Sequence, residues 1–283
     1  MGYLNTKNQF LITAKSQLKI AYRQIGEDNS TTPLVLLGHL AGTLDNWDPK
    51  LIDLLAQKQH LILFDLPGVG ASEGKVASSI AAMADAAIDI ISSLGWHKVN
   101  LLGLSMGGMI AQEIVKKDSF LVQKLILAGS APKSGSDLTK VTKITFGHML
   151  KASFTKEDPK RYIFYNHDAQ GRKQAHEVLA RMNARTAAFS DAPMKVNGFL
   201  RQLKAIKSWA KEKENILATI KQDTLIVNGD NDLEVATVNS YVMHQKISNS
   251  KLIIYPNAGH GAIFQYAEQF SQAVLQFLDE EGD

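Results

Sequence analysis

The chain has 283 residues, 45% of them hydrophobic and 21% charged, with a formal net charge of +3 and no cysteine. That composition excludes collagen-like, disordered and low-complexity chains, and the length suits one large domain or two small ones. The missing cysteine excludes disulfides, a thiol nucleophile, thiolate zinc sites and cysteine-ligated iron–sulfur clusters.

In chain order, residues 10–14 and 18–22 predict a β-hairpin, with polar–apolar alternation strongest in the second arm. Residues 34–37 (Leu-Val-Leu-Leu) form a continuous apolar run, the pattern of a strand buried on both faces of a parallel sheet. Similar runs recur at 61–64, 99–102, 125–128, 225–227 and 252–255. Between them, Ile80, Ala84, Ala87, Ile88 and Ile91 share one helical face, and Phe270, Val274, Phe277 and Leu278 repeat that spacing. The alternation predicts an α/β fold with a mainly parallel central sheet and flanking helices.

The strand rhythm stops at residue 133 and resumes at 224, with helices expected at 138–151, 159–167, 174–189 and 196–206. Two blocks are therefore expected: a core of residues 1–132 and 223–283, and an inserted helical cap of residues 133–222. Such a cap would sit over the C-terminal edge of the sheet, where ligands of these sheets bind. Charge divides the chain at the same places. The insertion holds 18 Lys/Arg against 8 Asp/Glu, a net +10, and the rest of the chain is −7.

The motif Gly103-Leu104-Ser105-Met106-Gly107 follows the apolar run 99–102 and precedes a helical stretch, 109–117. This is the context in which G-x-S-x-G places a serine nucleophile on a tight strand-to-helix turn, its glycines admitting a close approach that a Cβ would block. A serine hydroxyl needs a base within hydrogen-bond reach. Of the eight histidines, His260 lies in the small-residue loop Asn257-Ala258-Gly259-His260-Gly261, between the last strand and the last helix. His60 and His97 are expected to face solvent, and His148, His167 and His176 to be structural residues of the insertion. The acid that orients the imidazole falls after the run 225–227, at Asp230 or Asp232, because residues 128–132 contain no carboxylate.

These motifs and their order resemble the α/β-hydrolase superfamily, specifically its capped esterase, lactonase and C–C hydrolase branch, over nearly the whole chain outside the insertion. In that family the acid falls three residues after a glycine. Gly229 and Asp232 match this spacing, with Ala236 where proline is customary, so the resemblance favours Asp232 over Asp230. It also implies an oxyanion hole formed by the backbone N–H groups of Met106 and Leu40. The customary His-Gly before that second donor is reversed to Gly38-His39, and His39 reads as a hydrogen-bonding neighbour rather than the base. Residues 65–72, Asp-Leu-Pro-Gly-Val-Gly-Ala-Ser, resemble the family's structural turn.

The serine argues against the dehalogenase and epoxide-hydrolase branches, which use an aspartate nucleophile. No H-x-x-x-H, H-E-x-x-H or phosphate-loop pattern appears, so neither a metal nor a cofactor is expected. The resemblance implies a serine hydrolase that cleaves a small-molecule ester or related acyl bond through an acyl-enzyme. A C–C hydrolase, a lactonase and a receptor with a slow triad stand as alternatives. Phe154, Met182, Met194, Phe199 and Trp209 are candidates for the substrate pocket and equally for the insertion's own core. Arg161, Arg181, Arg185 and Arg201 are expected at the solvated surface; the alternative, one of them binding an anionic substrate group, would favour a keto-acid C–C hydrolase. The basic residues show no aromatic interleaving, so a nucleic-acid partner is not expected. Residues 1–26 carry no signal-peptide core and no stretch approaches the ~20 apolar residues of a membrane span, which reads as a cytoplasmic protein with no membrane partner.

Overall fold

A computed structural model describes residues 2–26 and 32–280. Its strands are β1 (Gln9–Ile12), β2 (Lys19–Ile25), β3 (Leu34–Leu37), β4 (Leu61–Phe64), β5 (Val99–Leu104), β6 (Val122–Ala128), β7 (Asp223–Gly229) and β8 (Ser250–Tyr255). Its helices are α1 (Pro49–Leu55), α2 (Ile80–Ser93), α3 (Met106–Lys117), α4 (Val141–Thr155), α5 (Pro159–Phe164), α6 (Ala169–Met182), α7 (Val196–Trp209), α8 (Val238–Lys246), α9 (Ala262–Gln265) and α10 (Ala267–Asp279).

The strands form one eight-stranded sheet in the order β1-β2-β4-β3-β5-β6-β7-β8. β1, β2 and β4 pair antiparallel, and every other pairing is parallel. Alternate side chains of each strand feed the two faces. On β3, Val35 and Leu37 join α2, α3, α7 and α8 in one apolar core. Leu34 and Leu36 join α1, α6 and α10 in the other. Burial on both faces is why the parallel strands read as unbroken apolar runs.

The chain direction across the sheet reverses between β3 and β5, whose C-terminal ends are in register at Leu37 and Gly103. In open α/β sheets the loops at such a reversal frame the ligand crevice. The residues between β6 and β7 carry α4–α7 and no strand among the described residues. Ionic contacts tie this insertion to the sheet layers. Lys133 Nζ contacts Glu113 of α3 at 2.6 Å, and Glu212 and Glu214 at 2.8 Å. Arg181 grips Asp48 through two hydrogen bonds of 2.7 and 2.8 Å. Arg185 meets Asp45 at 3.1 Å, and Asp45 also holds the buried Arg23 at 2.8 Å.

Three local expectations change. The helix expected at 174–189 begins earlier and ends earlier, at Ala169–Met182, because the Asp168 side chain accepts the Gly171 N–H and caps its start. α1 and α8 were not anticipated from periodicity. α1 is only seven residues long and announces itself by its Asp48-Pro49 start, with Asp48 accepting the Lys50 N–H. His60 is buried rather than solvent-facing, lying edge-on to Trp96 with Nε2 3.2 Å from Gln24 Oε1.

Candidate active site

Ser105 sits at the turn between β5 and α3 with φ +56°, a conformation costly for any residue with a Cβ. The glycines around it explain how the turn closes. A Cβ on Gly103 would lie 2.5 Å from backbone atoms of Gly107 and Gly108, and one on Gly107 would overlap the Leu37 carbonyl. Without those side chains, α3 begins directly against the ends of β3 and β5. The Ser105 N–H donates to the Ala128 carbonyl at 2.8 Å, and the Ser130 hydroxyl to the Ser105 carbonyl at 2.9 Å, so neighbouring β6 pins the turn.

His260 and Asp232 come from the loops after β8 and β7. Asp232 Oδ1 accepts the N–H groups of Glu234 and Val235, both at 2.9 Å, and its Oδ2 lies 2.7 Å from His260 Nδ1. An ionised carboxylate only accepts, so Nδ1 carries the proton and the neutral ring presents Nε2 as an acceptor. Burial lowers the His260 pKa, but the Asp232 charge and hydrogen bond outweigh it, and the pKa stands above 6.5. Asp230 lies elsewhere, accepting the Ala258 N–H at 3.1 Å and shaping the histidine loop. Geometry therefore distinguishes two carboxylates that lie two residues apart.

Ser105 and His260 line one cavity of about 620 Å³. No hydrogen bond joins their side chains among the described residues; such contacts are often long before a substrate binds. Leu40 lines the same cavity, on the loop after β3. Among the described residues, neither the Leu40 nor the Met106 N–H donates to a protein acceptor, whereas the adjacent Ala41 N–H is taken by Gln202 Oε1 at 2.8 Å. His39 directs Nδ1 to the Leu40 carbonyl at 2.8 Å and packs edge-on to Phe164, whose ring lies 5.5 Å from that of His260. Burial pushes the His39 pKa down to about 4, so this ring is neutral at ordinary pH.

The pocket candidates divide. Met194 and Phe199 line the cavity. Trp209 lies in the apolar core against the sheet, its Nε1 donating to the Ala131 carbonyl at 3.3 Å. Met182 packs into the opposite core layer, and Phe154 is 80% exposed, outside the cavity wall. None of the four arginines lines the cavity. Arg161 contacts Glu157 and the Tyr162 ring, Arg181 binds Asp48, Arg185 binds Asp45 and backbone carbonyls, and Arg201 donates to the Val76 carbonyl. Amphipathic spacing locates the buried side of a helix without saying what the arginines at its margin will meet.

Two features escaped sequence reasoning. Glu234 lines the cavity while accepting from Thr145 at 3.0 Å and facing His148 Nδ1 at 2.6 Å, both on α4. No spacing rule links it to α4, 86 residues away in sequence. The second is a pair of carboxyl groups, Asp65 and Asp191. Their Oδ2 atoms are buried without a donor and crowd the same side of Gly70. Burial, and then the closeness and charge of Asp191, raise the Asp65 pKa well above 3.8. Asp191 belongs to the loop of residues 190–194, every residue of which lines the cavity.

Comparison with known proteins agrees with this architecture. The family described as the alpha/beta hydrolase fold matches residues 32–266. A solved alpha/beta hydrolase fold protein from Chitinophaga pinensis superposes with a TM-score of 0.92 at 30% identity, covering 99% of this chain and 100% of that one. A 2-hydroxy-6-oxononadienedioate/2-hydroxy-6-oxononatrienedioate hydrolase of Escherichia coli is 28% identical, over 94% of this chain and 92% of its own. A poly(3-hydroxyalkanoate) depolymerase of Ectopseudomonas oleovorans is 26% identical, over 88% of this chain and 85% of its own. The chain belongs to the α/β-hydrolase family.

Proposed function

Starting from that membership, we propose that the chain is a serine hydrolase that cleaves an ester or related acyl bond of an uncharged small molecule. Ser105 attacks the carbonyl carbon, and His260 takes its proton on Nε2. Asp232 holds the ring in the productive tautomer and stabilises the imidazolium. The Met106 and Leu40 N–H groups receive the negative charge that develops on the carbonyl oxygen. His260 then returns the proton to the leaving group, and water repeats the sequence to release the acid. The helical insertion acts as the lid whose loop 190–194 and helices α4 and α7 wall the substrate cavity.

The observation that carries this reading is the 2.7 Å His260–Asp232 contact, in a cavity whose wall also holds Ser105 on its strained turn. An uncharged substrate follows from the wall. Lys160 is its one lysine among the described residues and faces Asp158 at 3.5 Å. The Escherichia coli relative is named for a dioate, whose two carboxylates call for more than the one lysine, already facing Asp158, that this wall holds among the described residues. The Ectopseudomonas relative is named for a polyester, and an ester carbonyl fits the geometry without a charged partner.

A fluorophosphonate label followed by a p-nitrophenyl ester chain-length panel tests the proposal. The wild-type chain is expected to label at Ser105 and turn over esters. Ser105→Ala is expected to lose between about 10⁴- and 10⁶-fold in kcat. Because His260 acts as a base only when neutral and its pKa is raised, kcat/KM should fall with acidification along a limb centred above pH 6.5. Retained turnover in Ser105→Ala, or an acid limb centred below that value, overturns the assignment.

A further inference from the structure

Helices α4 and α7 carry apolar side chains on their outer faces as well as their inner ones. On α4, Phe146, Leu150 and Phe154 recur every fourth residue, on one face, and are 44%, 59% and 80% exposed along the helix. On α7, Val196 and Leu200 hold the same spacing at 73% and 48%. The helices meet where the rings of Phe146 and Phe199 lie 6.0 Å apart. Met149, Val196 and Phe199 also line the cavity, so the exposed apolar surface continues from the rim into the interior. Isolated exposed apolar residues are ordinary, but a patch continuous with a ligand cavity marks a surface that meets something apolar.

The charges around this rim identify its chemistry. Lys143 stands three residues before Phe146, and Lys156 two after Phe154. Lys195 precedes Val196, Lys204 extends the Val196–Leu200 row by one turn, and Lys207 follows. All five are exposed, and among the described residues none forms an ion pair, whereas the nearby Glu157 is engaged by Arg161 and the Tyr162 hydroxyl. A second copy of the chain, paired through the same surface, would bring these lysines against their own counterparts. A surface that offers anions above and hydrocarbon below satisfies both halves of the pattern.

We propose that the α4–α7 rim docks on an anionic lipid surface, with Phe146, Leu150, Phe154 and Leu200 entering the acyl boundary and the lysines contacting headgroup phosphates. The cavity mouth is then held against the interface, and an apolar substrate passes into it without crossing water. This binding does not depend on the serine chemistry.

Co-sedimentation with vesicles of phosphatidylcholine alone, and of phosphatidylcholine mixed with phosphatidylglycerol, tests it. The chain is expected to bind the mixed vesicles, to release as salt is raised, and to bind neutral vesicles at least about tenfold more weakly. Leu150→Asp with Leu200→Asp should abolish binding, and Lys204→Glu with Lys207→Glu should weaken it about tenfold or more. Both double variants should keep wild-type circular dichroism and wild-type turnover of a water-soluble ester. Failure of the folded wild-type chain to bind mixed vesicles overturns the proposal. So does a dimer in solution that Leu150→Asp with Leu200→Asp dissociates while vesicle binding persists.

Discussion

The sheet and the helical insertion share two apolar cores but differ in what is added to them. The strands bury unbroken apolar runs between two helical layers, and close backbone approach at Gly103 and Gly107 sets the candidate nucleophile's turn. The insertion exposes much of its apolar surface and is fastened at defined points: Lys133 among three glutamates, Arg181 on Asp48, Arg185 on Asp45, Glu234 under His148, and Asp65 against Asp191. Apolar burial is non-directional and indifferent to pH, whereas these fasteners depend on charge state and geometry. The insertion thus adds charge-dependent contacts to the apolar packing that it shares with the sheet.

The Lys133 fastener tests this contrast most severely. Lys133 Nζ and Glu113 are almost fully buried, with side-chain exposures of 3% and 2%. Burial alone would lower the lysine pKa, yet hydrogen bonds to Glu113, Glu212 and Glu214 raise it, so the ammonium stays charged. Lys133→Met should cost about 3–5 kcal/mol in urea denaturation, because it leaves a buried carboxylate unpaired. Adding Glu113→Gln should restore most of the loss. A single variant as stable as wild type would show that apolar packing alone holds the insertion.

On the sheet side, Gly107→Ala should cost about 3 kcal/mol by forcing α3 away from β3, with the loss unchanged by salt or pH. Melting curves at low and high ionic strength check it, and a salt-dependent loss would erase the distinction between the two regions.

The smallest effect concerns pH. The Asp65 pKa is raised in the folded chain, so above pH 3.8 the folded state binds more protons at this group than the unfolded state does. Its contribution is therefore complete below that value and is lost as pH rises through the folded pKa, then levels. In Asp191→Asn the amide N–H can donate to an ionised Asp65, so the slope of urea midpoint against pH should flatten over that window, by about 1 kcal/mol in total. Superimposable slopes for variant and wild type would remove the coupling between the two carboxyl groups.

Much of the sheet was legible because a parallel strand buried on both faces has no polar positions to blur it. The run 61–64 coincides with β4 and 34–37 with β3. β6 extends beyond its apolar run because the buried Lys124 finds acceptors at the Phe277 and Leu278 carbonyls of α10, a partner 153 residues distant. In the insertion, helical spacing located α4, α5 and α7 but misplaced α6, whose start is set by the Asp168 cap. Gln202 carried a readable signal: a polar residue among Phe199, Leu203 and Ile206 on the inner face of α7, its amide oxygen accepting the Ala41 N–H.

By itself the sequence determined the α/β alternation, the serine at a glycine-flanked strand-to-helix turn, the histidine loop and the charge division of the chain. All of these are local, because they depend on residue spacing within one element or one turn. The Gly229–Asp232 spacing already favoured Asp232 over Asp230, and the fold sets Asp232 against His260; only the tertiary structure decided that the four arginines turn away from the cavity and that two aspartates 126 positions apart come together in a buried pair. Those outcomes depend on which buried charges find one another across the fold. Desolvation makes an unpaired ion costly, and the partner that relieves it is set by packing rather than by distance along the chain.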